Sequence, residues 1–475
     1  MNARSLVLRL SRTRLAAVSI EATAAILLCT PPASAAWERF HGDGANRGFV
    51  DVATAPAGKG SLSVPGLGTF APGSGPVVAP DGTVYLGTLE GKLIALRADG
   101  RPFWSRDITP GQSIQASPAV GSDGSIYVVG VSPPRTIRDH RGGKNTRRTV
   151  VASTLHKFTS SGGWVGQTPF PDRAGGGATT AAPNIVRVGG REVVLVPAVY
   201  RLPPATIDKR LIAFSADGGV LFDQRITVEV PSVSGGAGDF PWLFGLVCLV
   251  PPAGPFVCLM CSSGRCDYTP PVARGGPPPP PLPGVAVFTF AFAGGDPPRV
   301  IATDQRRDVV GYTVSTSGLT ESSRAQLETR RLISPPLVLP DGDTLVGSDD
   351  GAVVLGGLSM IKSPPVTGLG PVYGTPTQTV SGLVAVVGAK AVALLRDAKI
   401  LSRVPLPAPS YTSAAASRTH VFVSTTDALL TFDAEAQAPL RTFDWVGGGR
   451  WPPAIGPQGH VYAIASNILF VFPPP

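Results

Sequence analysis

The sequence predicts an all-β fold, a single β-propeller of eight four-stranded blades. Two observations lead there. A phrase recurs: Pro76-Val-Val-Ala-Pro-Asp81-Gly82-Thr-Val84-Tyr85-Leu86 returns 42 residues later as Pro118-Ala-Val-Gly-Ser-Asp123-Gly124-Ser-Ile126-Tyr127-Val128. In addition, 57 glycines and 50 prolines are spread along 475 residues, and helical periodicity is almost absent beyond the N-terminus. Copies of one small unit must bury their apolar faces against each other.

Each copy reads strand by strand. A short apolar run after the proline (Val77-Val78, Ala119-Val120, Leu337-Val338-Leu339) is the first strand. An Asp-Gly pair then supplies a turn, expected as type I′ with positive φ at both central residues. The second strand is β-branched and aromatic: Val84-Tyr85-Leu86, Ile126-Tyr127-Val128, Val421-Phe422-Val423 and Val461-Tyr462-Ala463. A third follows in Lys92-Leu-Ile-Ala-Leu96, Arg210-Leu-Ile-Ala-Phe214 and Ala428-Leu-Leu-Thr-Phe432. The fourth ends on an aromatic, as in Asp99-Gly100-Arg-Pro-Phe-Trp104, with weaker versions at Gly162-Gly163-Trp164 and Asp217-Gly218-Gly-Val-Leu-Phe222.

Ala95-Leu-Arg-Ala98-Asp99-Gly100-Arg-Pro-Phe-Trp104 resembles the blade-docking motif of the PQQ-like, or quinoprotein-like, β-propellers. Trp37-Glu-Arg-Phe40-His-Gly-Asp43-Gly-Ala-Asn46-Arg-Gly48 is similar to an opening segment found in such proteins. The resemblance implies that Trp104, and Trp164 in the next repeat, dock neighbouring blades. In architecture the chain is similar to the propeller lipoprotein of the outer-membrane β-barrel assembly machinery. The quinoprotein dehydrogenases of the same family imply PQQ, a calcium ion, an adjacent Cys-Cys disulfide and a catalytic carboxylate. This chain has no adjacent cysteines and no matched set of Asp, Asn and Glu at the blade tops. No catalytic, cofactor-binding or metal-binding residue is therefore assigned.

Blade starts fall near Pro76, Pro118, Pro183, Gly284, Pro336, Pro376, Ser413 and Pro453, with seven blades as the runner-up because 227–335 parses poorly. The last copy ends after Asn467-Ile-Leu-Phe-Val-Phe472, about three strands in. A segment within 37–73 is expected to supply the missing strand and close the ring, since an open ring leaves exposed sheet edges.

The N-terminus differs from the rest. Four arginines precede Leu15, an apolar stretch runs to Leu28, and Ala33-Ser34-Ala35 offers a small-residue cleavage site. Residues 1–35 thus read as a secretory signal peptide, leaving 36–475 as the mature domain with no transmembrane span. Lipidation at Cys29 is the variant reading. The location expected is periplasmic or secreted. A formal net charge of +9, with no aromatics among the basic clusters, does not argue for nucleic acid.

Residues 231–283 interrupt the repeat. They hold an apolar stretch with Trp242, Leu243 and Phe244, four cysteines (Cys248, Cys258, Cys261, Cys266) and the proline run Pro277–Pro281. An even number of cysteines in an exported chain suggests two disulfides, with three possible pairings; a zinc site is the alternative. A second excursion carries Arg135, Arg138, Arg141, Lys144, Arg147 and Arg148, opposed only by Asp139. It could attract an anionic surface or an acidic protein face, or simply be a solvated loop. Together these features predict a non-catalytic propeller that binds a protein partner as a scaffold in the cell envelope, with no cofactor. A degenerate or unusual PQQ-dependent quinoprotein oxidoreductase is the alternative.

Overall fold

The repeat phrase folds into hairpins, but through a different turn from the one expected. The computed structural model describes residues 36–475, apart from 59, 134, 140–145, 173–176, 180, 203–205, 230–246, 250–256, 263–264, 269–289, 294–296, 304–307, 328–331, 358–359, 363, 435–438 and 446–447. In the Asp-Gly turns only the glycine takes positive φ: +87° at Gly82, +84° at Gly100, +78° at Gly124 and +89° at Gly342. The aspartate instead accepts the backbone N–H two residues on, at 2.8 Å for Asp81 and Thr83 and 3.0 Å for Asp99 and Arg101. Gly82 N–H reaches Ala79 O at 2.9 Å, so the turn is type I followed by a left-handed glycine. The carboxylate bond, which suits an ordinary φ at Asp, decides this. Two-residue loops with positive φ at both positions do occur, at Gly189-Gly190, Asp397-Ala398 and Ser466-Asn467.

Eight four-stranded sheets follow one another along the chain. Blade 1 is Val77–Val78, Val84–Gly87, Lys92–Leu96 and Pro102–Asp107. Blade 2 runs from Ala119–Val120 through Ile126–Val131 and Ser153–Phe158 to Trp164–Pro169, and blade 3 comprises Asn184–Val188, Arg191–Leu202, Thr206–Ser215 and Val220–Glu229. Blade 4 spans Phe290–Ala293 to Leu319–Gln326, blade 5 Leu337–Val338 to Met360–Ile361, and blade 6 Thr377–Gln378 to Lys399–Pro405. Blade 7 runs from Ala415–Ser417 to Pro439–Asp444, and blade 8 holds Ala454–Ile455, Val461–Ala465 and Ile468–Phe472. Blade 8 gains its fourth strand from Leu62–Val64, which pairs antiparallel with Leu469–Val471. The N-terminal segment therefore closes the ring.

The core lies between blades. Second strands are buried on both faces, as in Val84–Gly87, so they read as unbroken apolar runs rather than alternating ones. In blade 3, Val194 and Val196 pack with Tyr127 and Leu155 of blade 2, whereas Val193 and Leu195 pack with Phe290 and Val300 of blade 4. The recurrent tyrosine serves the same interface: Tyr462 donates its hydroxyl to Ala98 O at 2.8 Å, joining blade 8 to blade 1.

Fourth strands lie outermost and mostly exposed. Several bind the next blade through one equivalent position. Arg106 reaches Gly162 O at 2.8 Å, Thr168 reaches Gly218 O at 2.6 Å, and Gln224 reaches Leu319 O at 2.8 Å. Trp104 is half-buried against the turn of blade 2, and its Nε1–H donates to Ser160 O at 2.9 Å. Trp164 does not share that place. It stands opposite Phe158, where blade 1 has Pro102 opposite Leu96, and Gly166 takes the register of Trp104. Trp164 is accordingly 62% exposed.

Candidate functional site

The inner edge of a propeller is a ring of short strands whose outward N–H groups need partners. Here the chain supplies them itself. Between Trp37 and Val52 the backbone passes seven blades in order. Trp37 exchanges two bonds with Val78 of blade 1, at 3.0 and 2.8 Å. Val120 of blade 2 donates to Glu38 O at 2.9 Å. At blade 3, Arg39 Nη1 donates to Asn184 Oδ1 at 3.2 Å and to the Ile185 carbonyl. Phe292, Val338, Gln378 and Ala416 of blades 4 to 7 then donate to Gly44, Ala45, Arg47 and Gly48 at 2.6, 3.0, 2.8 and 2.8 Å. Phe49–Val50 continues as a parallel strand beside Ala416 and Ser417.

The opening motif is explained by this path. Asp43 Oδ1 accepts the N–H groups of Ala45 and Arg47 at 3.0 and 3.1 Å, and its carboxylate pairs with the Arg47 side chain. That turns the chain at Asn46, whose φ is +57°. Buried Asn46 spans two blades, its Nδ2 donating to Phe290 O at 2.7 Å and Pro336 O at 3.0 Å. Gly48, at φ +63°, leaves room for the His41 ring; a Cβ there would lie 2.4 Å from it. His41 is fully buried, with Nδ1 2.6 Å from the Asn46 carbonyl and Nε2 3.1 Å from Thr377 Oγ1 and from Ala414 O. Both ring nitrogens face a carbonyl, but only Nε2 also faces a hydroxyl, that of Thr377, which can donate to it; a neutral ring with its hydrogen on Nδ1 satisfies this arrangement. Burial holds the His41 pKa down at about 4, despite the raising effect of the two carbonyls.

A second arrangement runs along the outer rim. Register shifts place one bulge residue in the fourth strand of several blades. Those residues are Phe103, Val165, Leu221, Leu401 and Leu440, each between 38% and 54% exposed. Sequence reading passed over them because isolated exposed apolar residues mean little. Their recurrence at one register gives them a common level on the rim.

The residues singled out from sequence are distributed as follows. Arg135–Asp139 and Thr146–Val150 form an antiparallel hairpin rather than an open loop, with Arg138 opposite Arg147 and Ile137 opposite Arg148. Arg141 and Lys144 lie outside the described residues, as do Trp242, Leu243 and Phe244 and the segment 1–35 with Cys29. Cys248, Cys258, Cys261 and Cys266 lie on a three-stranded sheet of Val247–Leu249, Val257–Ser262 and Arg265–Tyr268. Asp349 and Asp350 occupy the exposed turn before Gly351, and Asp308 pairs with Arg324.

PQQ is a polyanion, and its calcium needs converging carboxylates. The inner-edge N–H groups that could cradle an anion are already bonded to residues 37–52. Among the described residues no group of three His, Cys, Asp or Glu could hold a metal ion, and no helix is long and apolar enough to cross a membrane.

Eight antiparallel blades closed by an N-terminal strand make this an eight-bladed β-propeller. A solved structure agrees on the fold. The quinohemoprotein alcohol dehydrogenase from Comamonas testosteroni is 12% identical with a TM-score of 0.57, over 92% of this chain and 80% of that chain. A europium-containing methanol dehydrogenase is 12% identical (TM-score 0.49; 91% of this chain, 89% of that chain). BamB from Moraxella catarrhalis is 16% identical (TM-score 0.43; 77% and 82%). No protein-family model and no curated protein matches the sequence. At such identities the likeness is one of fold, which hosts many activities.

Proposed function

We propose that this chain is a non-catalytic propeller that holds a protein partner as a scaffold in the cell envelope. The observation that carries the reading is the self-filled inner edge: residues 37–48 accept the inner-edge N–H groups of six blades, which a small anionic ligand could otherwise use. Recognition then falls to the outside. Phe103, Val165, Leu221, Leu401 and Leu440 offer apolar contacts beside open strand edges, to which an extended partner segment can add by its backbone. The arginine hairpin and the stretch at Trp242, Leu243 and Phe244 supply further contacts, the first for an acidic face. The envelope location rests on the arginine-rich, apolar and small-residue pattern of residues 1–35.

The test is a thermal-shift titration of residues 36–475 with PQQ and calcium. A ligand that binds the native state stabilises it by mass action, by about 2.7 kcal/mol at a hundredfold excess over Kd, and so raises its melting point. No shift at that excess is the expected result. A saturable shift would replace the scaffold reading by that of a quinoprotein oxidoreductase. For the scaffold itself, co-purification of an envelope protein should survive Asp349→Asn and weaken when Phe103, Leu221 and Leu401 are changed to Ser together.

A further inference from the structure

The three-stranded sheet between blades 3 and 4 sorts its four cysteines. On its antiparallel ladders Cys248 stands opposite Cys258, and Cys261 stands opposite Cys266. Side chains alternate faces along a strand, and directly opposed residues share a face. Cys258 and Cys261 are three positions apart on one strand, so they belong to opposite faces. The cysteines therefore divide into one pair per face.

This division decides among the possibilities. A tetrahedral metal site needs all four sulfurs at one point, and the sheet itself separates these pairs. Joining Cys258 to Cys261 would span about 10 Å of strand, beyond the reach of a disulfide. Joining Cys248 to Cys261, or Cys258 to Cys266, would link residues on opposite faces. Directly opposed antiparallel residues have Cα atoms about 4.5–5.5 Å apart, within the usual disulfide range.

We propose that the protein carries two cross-strand disulfides, Cys248–Cys258 and Cys261–Cys266, one on each face of this sheet. Each forms by exchange with an oxidised dithiol carrier of the disulfide-oxidoreductase class. One cysteine thiolate attacks the carrier disulfide, giving a mixed disulfide and one carrier thiolate. The opposed cysteine, losing its proton, displaces the second carrier sulfur. Two electrons pass to the carrier, which leaves as a dithiol. The bonds brace the excursion from both sides and leave the ring's own blades untouched.

The sequence supplies its own test. Met260 lies between Cys258 and Cys261, and the only other methionines are Met1 and Met360. Cyanogen bromide cleavage of the oxidised full chain, without reductant, should release the Cys261–Met360 fragment from the one ending at Met260. Maleimide labelling of the denatured, unreduced protein should find no free thiol at any of the four positions. Fragments that stay joined until reductant is added would overturn the proposal, because both other pairings bridge Met260. Free fragments with four reactive thiols would also overturn it, as would thiols exposed only after chelation with release of one equivalent of zinc. As a check that needs no cleavage, Cys258→Ser should free one thiol, at Cys248, and leave Cys261 and Cys266 protected.

Discussion

Asn46 is the sharpest place to perturb the inner segment. Its side chain donates to Phe290 O and Pro336 O from a backbone at φ +57°. Asn46→Gly removes both bonds and keeps the left-handed conformation. Each lost bond costs about 1–1.5 kcal/mol, so about 2–3 kcal/mol in all. Asn46→Ala loses the same bonds and adds about 1 kcal/mol for an alanine at positive φ. The described unit, Ala36–Pro475, has about 440 residues, hence an unfolding entropy of about 0.9 kcal/mol/K. The expected melting-point losses are therefore about 3 °C for the glycine variant and about 4 °C for the alanine variant, read by calorimetry. Urea titration should give the same order. If both variants melt within 1 °C of the parent, the Phe290 and Pro336 carbonyls have other partners and the segment does not hold blades 4 and 5 together.

Gly48→Ala places a Cβ against the His41 ring and should destabilise by about 2–3 kcal/mol, measured by the urea midpoint. His41 and His156 are both held neutral by burial, with pKa values of about 4 against 6.5 in the unfolded chain. The unfolded state binds more protons between those values, so stability is full above about pH 6.5 and is lost as pH falls towards 4. The shift of His41 is worth about 3 kcal/mol by the lower limit. His41→Gln should flatten the slope of stability against pH in that window, and an unchanged slope would refute the assignment. Trp104→Ala should cost about 2 kcal/mol through the blade 1–blade 2 contact, whereas Trp164→Ala should stay within 0.5 kcal/mol by the same urea assay.

The ring was legible because its signals are local. An Asp-Gly pair marks the first hairpin of blades 1, 2 and 5, a β-branched–aromatic pair marks the second strand of blades 1, 2, 7 and 8, and the three-stranded last copy implied a strand donated from elsewhere, found at Leu62–Val64. The turn type was not legible. Asp-Gly suits either geometry, and only the bond from Asp81 to Thr83 selects one. The role of the opening segment was hidden for another reason: Asn46 and His41 take their meaning from carbonyls hundreds of residues away, at Pro336 and Ala414. Trp164 sits two places off the docking register because it follows its turn glycine, Gly162, by two residues, whereas Trp104 follows Gly100 by four; both strands carry the same bulge, at Val165 and Phe103.

Closure by the N-terminal strand also sets a timetable. Ser63 pairs with Phe470, about 400 residues later in synthesis. At about 5–20 residues per second, the first-made segment waits roughly 20–80 seconds for its last partner. Until then Leu62–Val64 has no strand to pair with. Bringing such distant ends together is entropically slow. The finished ring is thus a product of completed synthesis, and a chain stalled before Ile468 would retain an open edge for chaperones or proteases to recognise.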